Sequence, residues 1–492
     1  MKWREKFIEI ICISLILLFV YASSMKLIDF NQFVLQLSKS PMLIEIRYYV
    51  AWFIPAIELI TAVLLVFRST RAAGLLLSIA LMSLFTFYII AILGFSEYIP
   101  CSCGGILEKM GWGGHLVFNV IFLTLACLAA WLDSGRPSLR YSSAIILTAA
   151  VSVGGLFKIT YQDSDKYSTF QISPLDAGPD LADSVDLAYN SFYFAGDDSD
   201  NLYFGNQTAP LILCIYEKSS GSVRTREIST EVPITTNTKL SIAGRSFFLT
   251  DGHEPLVLSG TLEDLVATAV KEEYGYFNEF VPINDQQFAY RMMDTVGNYC
   301  LALTRADSGF VLRPGVLKKQ VDGKFDVDGM MHYTDIGHQF VYVYYYRNQF
   351  ITLDSNLNNR IYRRTIDTIK RAKIRVSEIS TGRQKKSSVY PELTVNKQSC
   401  ITSEFLFIQA GIRAKNELPE KFSSSSRIDI YELLNGRYIG SFYAPLTSGG
   451  LRELSAADNR LFVLSDRYLF RYDISRVLAE ARAVAQKNIT GR

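Results

Sequence analysis

The run Ala72-Ala73-Gly74-Leu75-Leu76-Leu77-Ser78-Ile79-Ala80-Leu81-Met82-Ser83-Leu84-Phe85-Thr86-Phe87-Tyr88-Ile89-Ile90-Ala91-Ile92-Leu93 carries no charged side chain. A helix needs roughly 20 such residues to cross a hydrocarbon core, since each residue advances it by about 1.5 Å. Four more runs are long and apolar enough to do the same, at residues 7–25, 48–67, 115–132 and 141–157, the last being the shortest and the first two holding one acidic residue each, Glu9 and Glu58. Five close-spaced runs read as membrane spans rather than as buried helices of a soluble protein. The first is not read as a cleavable signal peptide, because it lacks a convincing small-residue cleavage site and four more spans follow it.

Basic residues set the expected orientation. Lys2, Arg4 and Lys6 precede the first span, Arg68 and Arg71 fill the second connection, and Arg136 and Arg140 the fourth. The positive-inside rule places these three regions in the cytoplasm. The loops at 26–47 and 94–114 then face outward, and so does everything after the fifth span. Lys26, Lys39 and Arg47 in the first outward loop run against the rule, beside Asp29 and Glu45. A bacterial inner membrane, with the C-terminal domain in the periplasm, is the expected setting. The formal net charge of +2 gives no electrostatic case for nucleic acid.

Of seven cysteines, one pair is close in sequence, in Pro100-Cys101-Ser102-Cys103-Gly104-Gly105. By the orientation above it faces the oxidising side. A disulfide across one intervening residue closes a strained ring and exchanges readily. His115, at the outer end of the fourth span, is placed to favour a thiolate. Other readings stay open: a structural disulfide, a Cu(I) site with His115 or Met110, or thiols with no role. Cys12 and Cys127 lie within spans and read as small apolar packing residues.

Glu58, in Phe53-Ile54-Pro55-Ala56-Ile57-Glu58-Leu59, stands at membrane depth. A carboxylate there is costly and by default marks a polar site between helices. Lys26 is its candidate partner, or snorkels to the interface.

These features together resemble the MauE/DoxX group of four-helix membrane proteins over about residues 5–133. The resemblance rests on Ser24-Met25-Lys26-Leu27-Ile28-Asp29, on Pro55-Ala56-Ile57-Glu58-Leu59, on two basic residues in the second connection and on the Cys-Ser-Cys-Gly-Gly loop. It implies extracytoplasmic redox biology, since MauE is associated with maturation of a disulfide-rich periplasmic enzyme subunit. Cys101, Cys103, Lys26 and Glu58 become the candidate site residues, with His115 beside them.

Beyond the spans the composition changes. A polar stretch reads as a linker, and short strand-like runs follow, among them Leu211-Ile212-Leu213-Cys214-Ile215-Tyr216 and Phe340-Val341-Tyr342-Val343-Tyr344-Tyr345. A weak repeat of about 45–55 residues implies about six blades of a β-propeller, similar to TolB-like or NHL-like propellers. Tandem β-sandwiches are the other reading. His253, His332 and His338 lack metal-ligand spacing, Asp326-x-Asp328-Gly329 is too short for a calcium loop, and no nucleophile motif appears. No metal is expected.

The expected chain is therefore a multidomain membrane protein, an α-helical transmembrane bundle of five spans followed by an all-β domain. Its parts are a four-helix domain at 1–135, a fifth helix at 136–160, a linker at 161–182, a propeller at 183–478 and a helical tail at 479–492. Its expected function is thiol–disulfide exchange by Cys101 and Cys103 with an extracytoplasmic protein or peptide recruited by the propeller. A membrane quinone is the candidate electron carrier and Glu58 the proton-handling group. The competing reading is a non-enzymatic membrane anchor that displays the propeller as a docking module.

Overall fold

The computed structural model describes residues 2–30, 33–34, 37, 46–95, 112–165, 167–270, 275–305, 309–381, 384–391, 393–445 and 450–490. The chain divides into two compact units, Met1–Lys166 with Val376–Tyr390, and Tyr167–Arg375 with Pro391–Arg492.

The first unit holds α1 (Lys2–Ile28), α2 (Arg47–Val66), α3 (Arg71–Phe95), α4 (Trp112–Ser134) and α5 (Arg136–Asp165). All five are long and apolar enough to cross a membrane. The protein is a multi-pass membrane protein. Helix α1 packs on α2 and α4, α3 packs on α2, α4 and α5, and α4 packs on α5. On α1 the buried residues Ile8, Ile11, Cys12, Leu15 and Phe19 recur every three or four positions, while Ile13 and Leu17 face outward. Ala126, Ala129 and Ala130 give α4 a small-residue face that lets neighbouring backbones approach. Gly135 ends α4 in the left-handed region at φ 73°, its N–H donating to the Trp131 carbonyl, and Pro137 opens α5.

The second unit is a six-bladed β-propeller. Blades 1 to 5 are four-stranded antiparallel sheets at residues 192–227, 239–269, 277–313, 329–363 and 396–445, and the two-residue strand Ser229–Thr230 adds to the outer edge of blade 2. Blade 6 takes three strands from the C-terminal end, Leu451–Ala457, Arg460–Ser465 and Tyr468–Asp473. Its outer strand is Asp180–Asp186, paired antiparallel with Tyr468–Asp473. The ring is closed by strands from opposite ends of the domain.

Side chains alternate along the middle strands and enter opposite interfaces. In blade 4, Phe340 and Tyr342 pack towards blade 3 with Leu301 and Leu303, whereas Val341 and Val343 pack towards blade 5 with Leu406 and Ile408. Each of the six junctions has such a cluster, and blade 6 meets blade 1 through Phe462, Leu464, Phe204 and Tyr216. Both faces are buried, so these strands read as continuous apolar runs. Helix α6 (Pro419–Ser424) sits in the long connection of blade 5, and α7 (Ser475–Thr490) lays Val477, Leu478, Ala481 and Ala485 on the junction of blades 5 and 6.

The polar stretch before Asp180 is docked on the propeller. Phe170 and Ile172 are buried with Ile369, Val395, Ile412 and Ala414. Asn416 brackets the Ile172 backbone, receiving its N–H at 3.0 Å and donating to its carbonyl at 2.9 Å. Beneath Phe170 lies Arg427, almost fully buried, its Nε and Nη2 on the two oxygens of Asp429 at 2.9 and 3.3 Å and its Nη1 on Glu417 at 2.5 Å. Removing one member of such a buried set strands the others without solvent, at a cost of about 3–5 kcal/mol. Arg427→Met is expected to destabilise the protein by that amount in chemical unfolding followed by far-UV circular dichroism, and a loss below about 1 kcal/mol would contradict the assignment.

Asp367, buried nearby, accepts from the Thr365 hydroxyl at 2.5 Å and the Ile369 N–H at 3.0 Å. Burial pushes its pKa up to about 6. The folded state therefore holds this proton more tightly than the unfolded chain, and stability falls as pH rises from about 4 to about 6. Asp367→Asn is expected to stabilise by up to about 3 kcal/mol above pH 6 and to be neutral below about pH 4. Thermal unfolding of both proteins across that range checks this, and a difference that does not change with pH would refute it.

Candidate functional site

A carboxylate and an ammonium meet in the interior of the helical bundle. Glu58 lies near the middle of α2, roughly 16 Å along the axis from Arg47 at 1.5 Å per residue. Its side chain is 1% exposed, and its Oε1 lies 2.5 Å from the Nζ of Lys26 near the end of α1. The sequence offered two readings of Lys26, and the geometry brings it to Glu58. Phe33, after α1, and Phe85, on α3, hold their ring centroids 5.9 and 5.6 Å from the ammonium. Such rings offer a cation the attraction of their π faces without water. Phe30 and Trp52 pack with their ring centroids 4.7 Å apart, tilted at 42°, in the same unit.

Pro55, buried one turn before Glu58, cannot donate to the Ala51 carbonyl and so loosens α2 at that turn. Buried hydroxyls of the bundle are largely satisfied within their own helices: Thr61 donates to Ile57, Ser78 to Gly74 and Thr86 to Met82. Among the described residues, the buried Glu58 Oε2 has no hydrogen-bond partner. The pair thus offers one carboxylate oxygen in use and one open to a donor.

Cys101 and Cys103 lie outside the described residues, as does Met110. His115 is half-buried in the first turns of α4. The other five cysteines are unpaired. Cys12 is buried in the bundle core and Cys127 packs against it. Cys214, Cys300 and Cys400 are buried in blades 1, 3 and 5, and burial pushes the first two thiols up to about 12 and about 11. Thiols held so far above neutrality are poor nucleophiles. Among the described residues, no group of His, Cys, Asp and Glu is arranged to hold a metal ion.

Residues 4–132 match the family model of methylamine utilisation protein MauE. The match covers α1 to α4 and includes both members of the ion pair. No curated protein matches the chain. Among solved structures, a DUF4221 family member from Bacteroides vulgatus is 11% identical, with 62% of this chain and 98% of that chain covered and a TM-score of 0.37. A catalytically inactive virginiamycin B lyase from Staphylococcus aureus is 8% identical, with 59% and 98% covered and a TM-score of 0.35.

The sequence did not point to Phe33 or Phe85, because an aromatic residue in an apolar run looks the same whether it faces lipid or a charge. If Lys26 and Glu58 are a buried pair, Glu58→Leu leaves the ammonium unpaired and should cost about 3–5 kcal/mol in the detergent-solubilised protein. The double variant Lys26→Met/Glu58→Leu should recover most of that loss. Equal and additive losses from the two single variants would show that the residues do not interact.

Proposed function

We propose that this multi-pass membrane protein exchanges disulfides with an extracytoplasmic partner that its propeller recruits. One observation carries the reading: a MauE-like bundle keeps a lysine–glutamate pair in its interior, where charge is costly, with one carboxylate oxygen unmet among the described residues. A group kept at that cost is suited to handling protons. The outward loop of the same bundle carries the Cys101/Cys103 pair.

In the reaction, the thiolate of Cys101 or Cys103 attacks a partner disulfide and forms a mixed disulfide. The second cysteine then attacks its neighbour's sulfur and releases the partner. The partner gains two electrons and two protons, and the Cys101–Cys103 disulfide forms. Run in reverse, the same steps oxidise a partner dithiol. Bound at the membrane, a quinone would supply a two-electron acceptor. Lys26 as donor, Glu58 as acceptor and the Phe33 and Phe85 rings are chemically suited to such a head group. In this reading the protein lies in a bacterial inner membrane, with its N-terminus cytoplasmic and its propeller periplasmic.

Cys101→Ser and Cys103→Ser proteins, quenched by acid and alkylated, are expected to carry a partner as a mixed disulfide on non-reducing gels. If neither variant forms an adduct and both retain full function, exchange is excluded and the protein is a membrane-anchored docking module.

A further inference from the structure

The connection after blade 4 and the long connection within blade 5 meet the segment that follows α5. The Thr169 and Thr368 hydroxyls lie 2.7 Å apart, and the Lys415 N–H donates to the Phe170 carbonyl at 2.8 Å. Phe170 itself is buried against Ile369 and Val395. The chain passes between the two units at 166/167, 375/376 and 390/391, each within a few residues of these contacts. Residues 159–166 alone separate Lys158, the end of the last apolar span, from Tyr167. That stretch is helical up to Asp165 and advances by roughly 10 Å at 1.5 Å per residue. Chain length therefore keeps this rim within reach of a bilayer surface.

The rim is basic. Lys370, Arg371, Lys373 and Lys415 are exposed and form no ion pair among the described residues. The acidic residues of the same two connections are mostly spent, since Asp367 is buried and Glu417 is buried on Arg427. Glu420 is exposed, next to Lys421. Gln320 pins the backbone beneath the first three cations. Its Nε2 donates to the Lys370 carbonyl at 3.1 Å, and its Oε1 receives the Ala372 N–H at 3.0 Å. Ala372 is buried, so the three charges ride on a fixed loop. In sequence the charge continues, with Arg375, Arg383, Lys385 and Lys386 against Glu378 alone. These residues fall in the hairpin of Ile374–Thr381 and Gln384–Pro391, most of which belongs to the membrane unit.

Gathering like charges without counter-charges works against the compact state, and an anionic surface relieves it. Basic clusters beside a membrane span take their counter-charges from anionic headgroups, over a range of about 10 Å at 0.1 M salt.

We propose that this rim of the propeller is a docking surface for anionic phospholipid, with Lys370, Arg371, Lys373 and Lys415 as the headgroup contacts. A bilayer is the polyanion that the short tether keeps beside these cations. The surface does not depend on the thiol reading or on the membrane ion pair. It lets lipid charge set how the propeller is held.

The test is acylation of lysines by a neutral succinimidyl ester, read residue by residue by mass spectrometry. The full-length protein is placed in nanodiscs of phosphatidylcholine, with and without phosphatidylglycerol. Lys239, on blade 2 across the ring from blade 5, serves as the reference. Lys370, Lys373 and Lys415 are expected to react about fivefold more slowly, relative to Lys239, when phosphatidylglycerol is present. High salt should remove that difference. Lys370→Gln/Lys373→Gln alters exposed side chains only and should return Lys415 towards its rate in phosphatidylcholine. Slowing at Lys415 that survives this variant unchanged would overturn the proposal. The proposal fails also if rates match in the two bilayers, which would mean that the cations are free or satisfied within the chain. Equal slowing by inorganic phosphate in phosphatidylcholine nanodiscs would mark a free-anion site instead, and would sink the lipid surface.

Discussion

Every blade of the propeller buries both of its faces, and this constraint organises the second unit. A four-stranded sheet with Phe340 and Tyr342 on one side and Val341 and Val343 on the other has no face it can offer to water. It is stable only between two neighbours, so the six blades stand or fall as a ring. Because apolar area does this work everywhere, the polar groups that remain inside are few, and each has to be accounted for.

The buried charges show three degrees of completion. Arg427 is saturated by Asp429 and Glu417, and Arg291 by Asp328, Asn278, Tyr342 and the Gly329 carbonyl. Lys26 and Glu58 are half complete, with a direct pair and one oxygen over. Arg347, in the turn between the second and third strands of blade 4, has the Lys318 carbonyl and the Tyr344 ring. Saturated sets fix the positions of strands and loops, as Arg427 does beneath the docked segment at Phe170.

The membrane half was legible because lipid imposes a simple rule on composition. The uncharged run at 72–93 could be nothing else, and Glu58 stood out against its background. The blade count was legible through a repeat, since each blade is built from the same alternation of strand and turn. Pairings across long sequence distances were not. Nothing in Asp180-Leu181-Ala182-Asp183-Ser184-Val185-Asp186 says that its partner is Tyr468–Asp473, because an outer strand is mostly exposed and carries no apolar signature. The stretch around Phe170 looked like a linker for a related reason: two apolar residues among polar ones suffice to dock it. Arg347 gave no signal at all, since an arginine after three tyrosines reads as a surface turn.

The closing strand also sets an order of events during synthesis. Asp180–Asp186 leaves the ribosome soon after α5, yet the strand it pairs with follows only after all five intervening blades. Until then blade 1 lacks its neighbour in blade 6 and the sheet edges at the gap stay open. A nascent chain in that state presents unpaired backbone to any other strand it meets. Premature stop codons, even ones that remove only the final blade, should therefore act less as truncations than as failures of the whole ring.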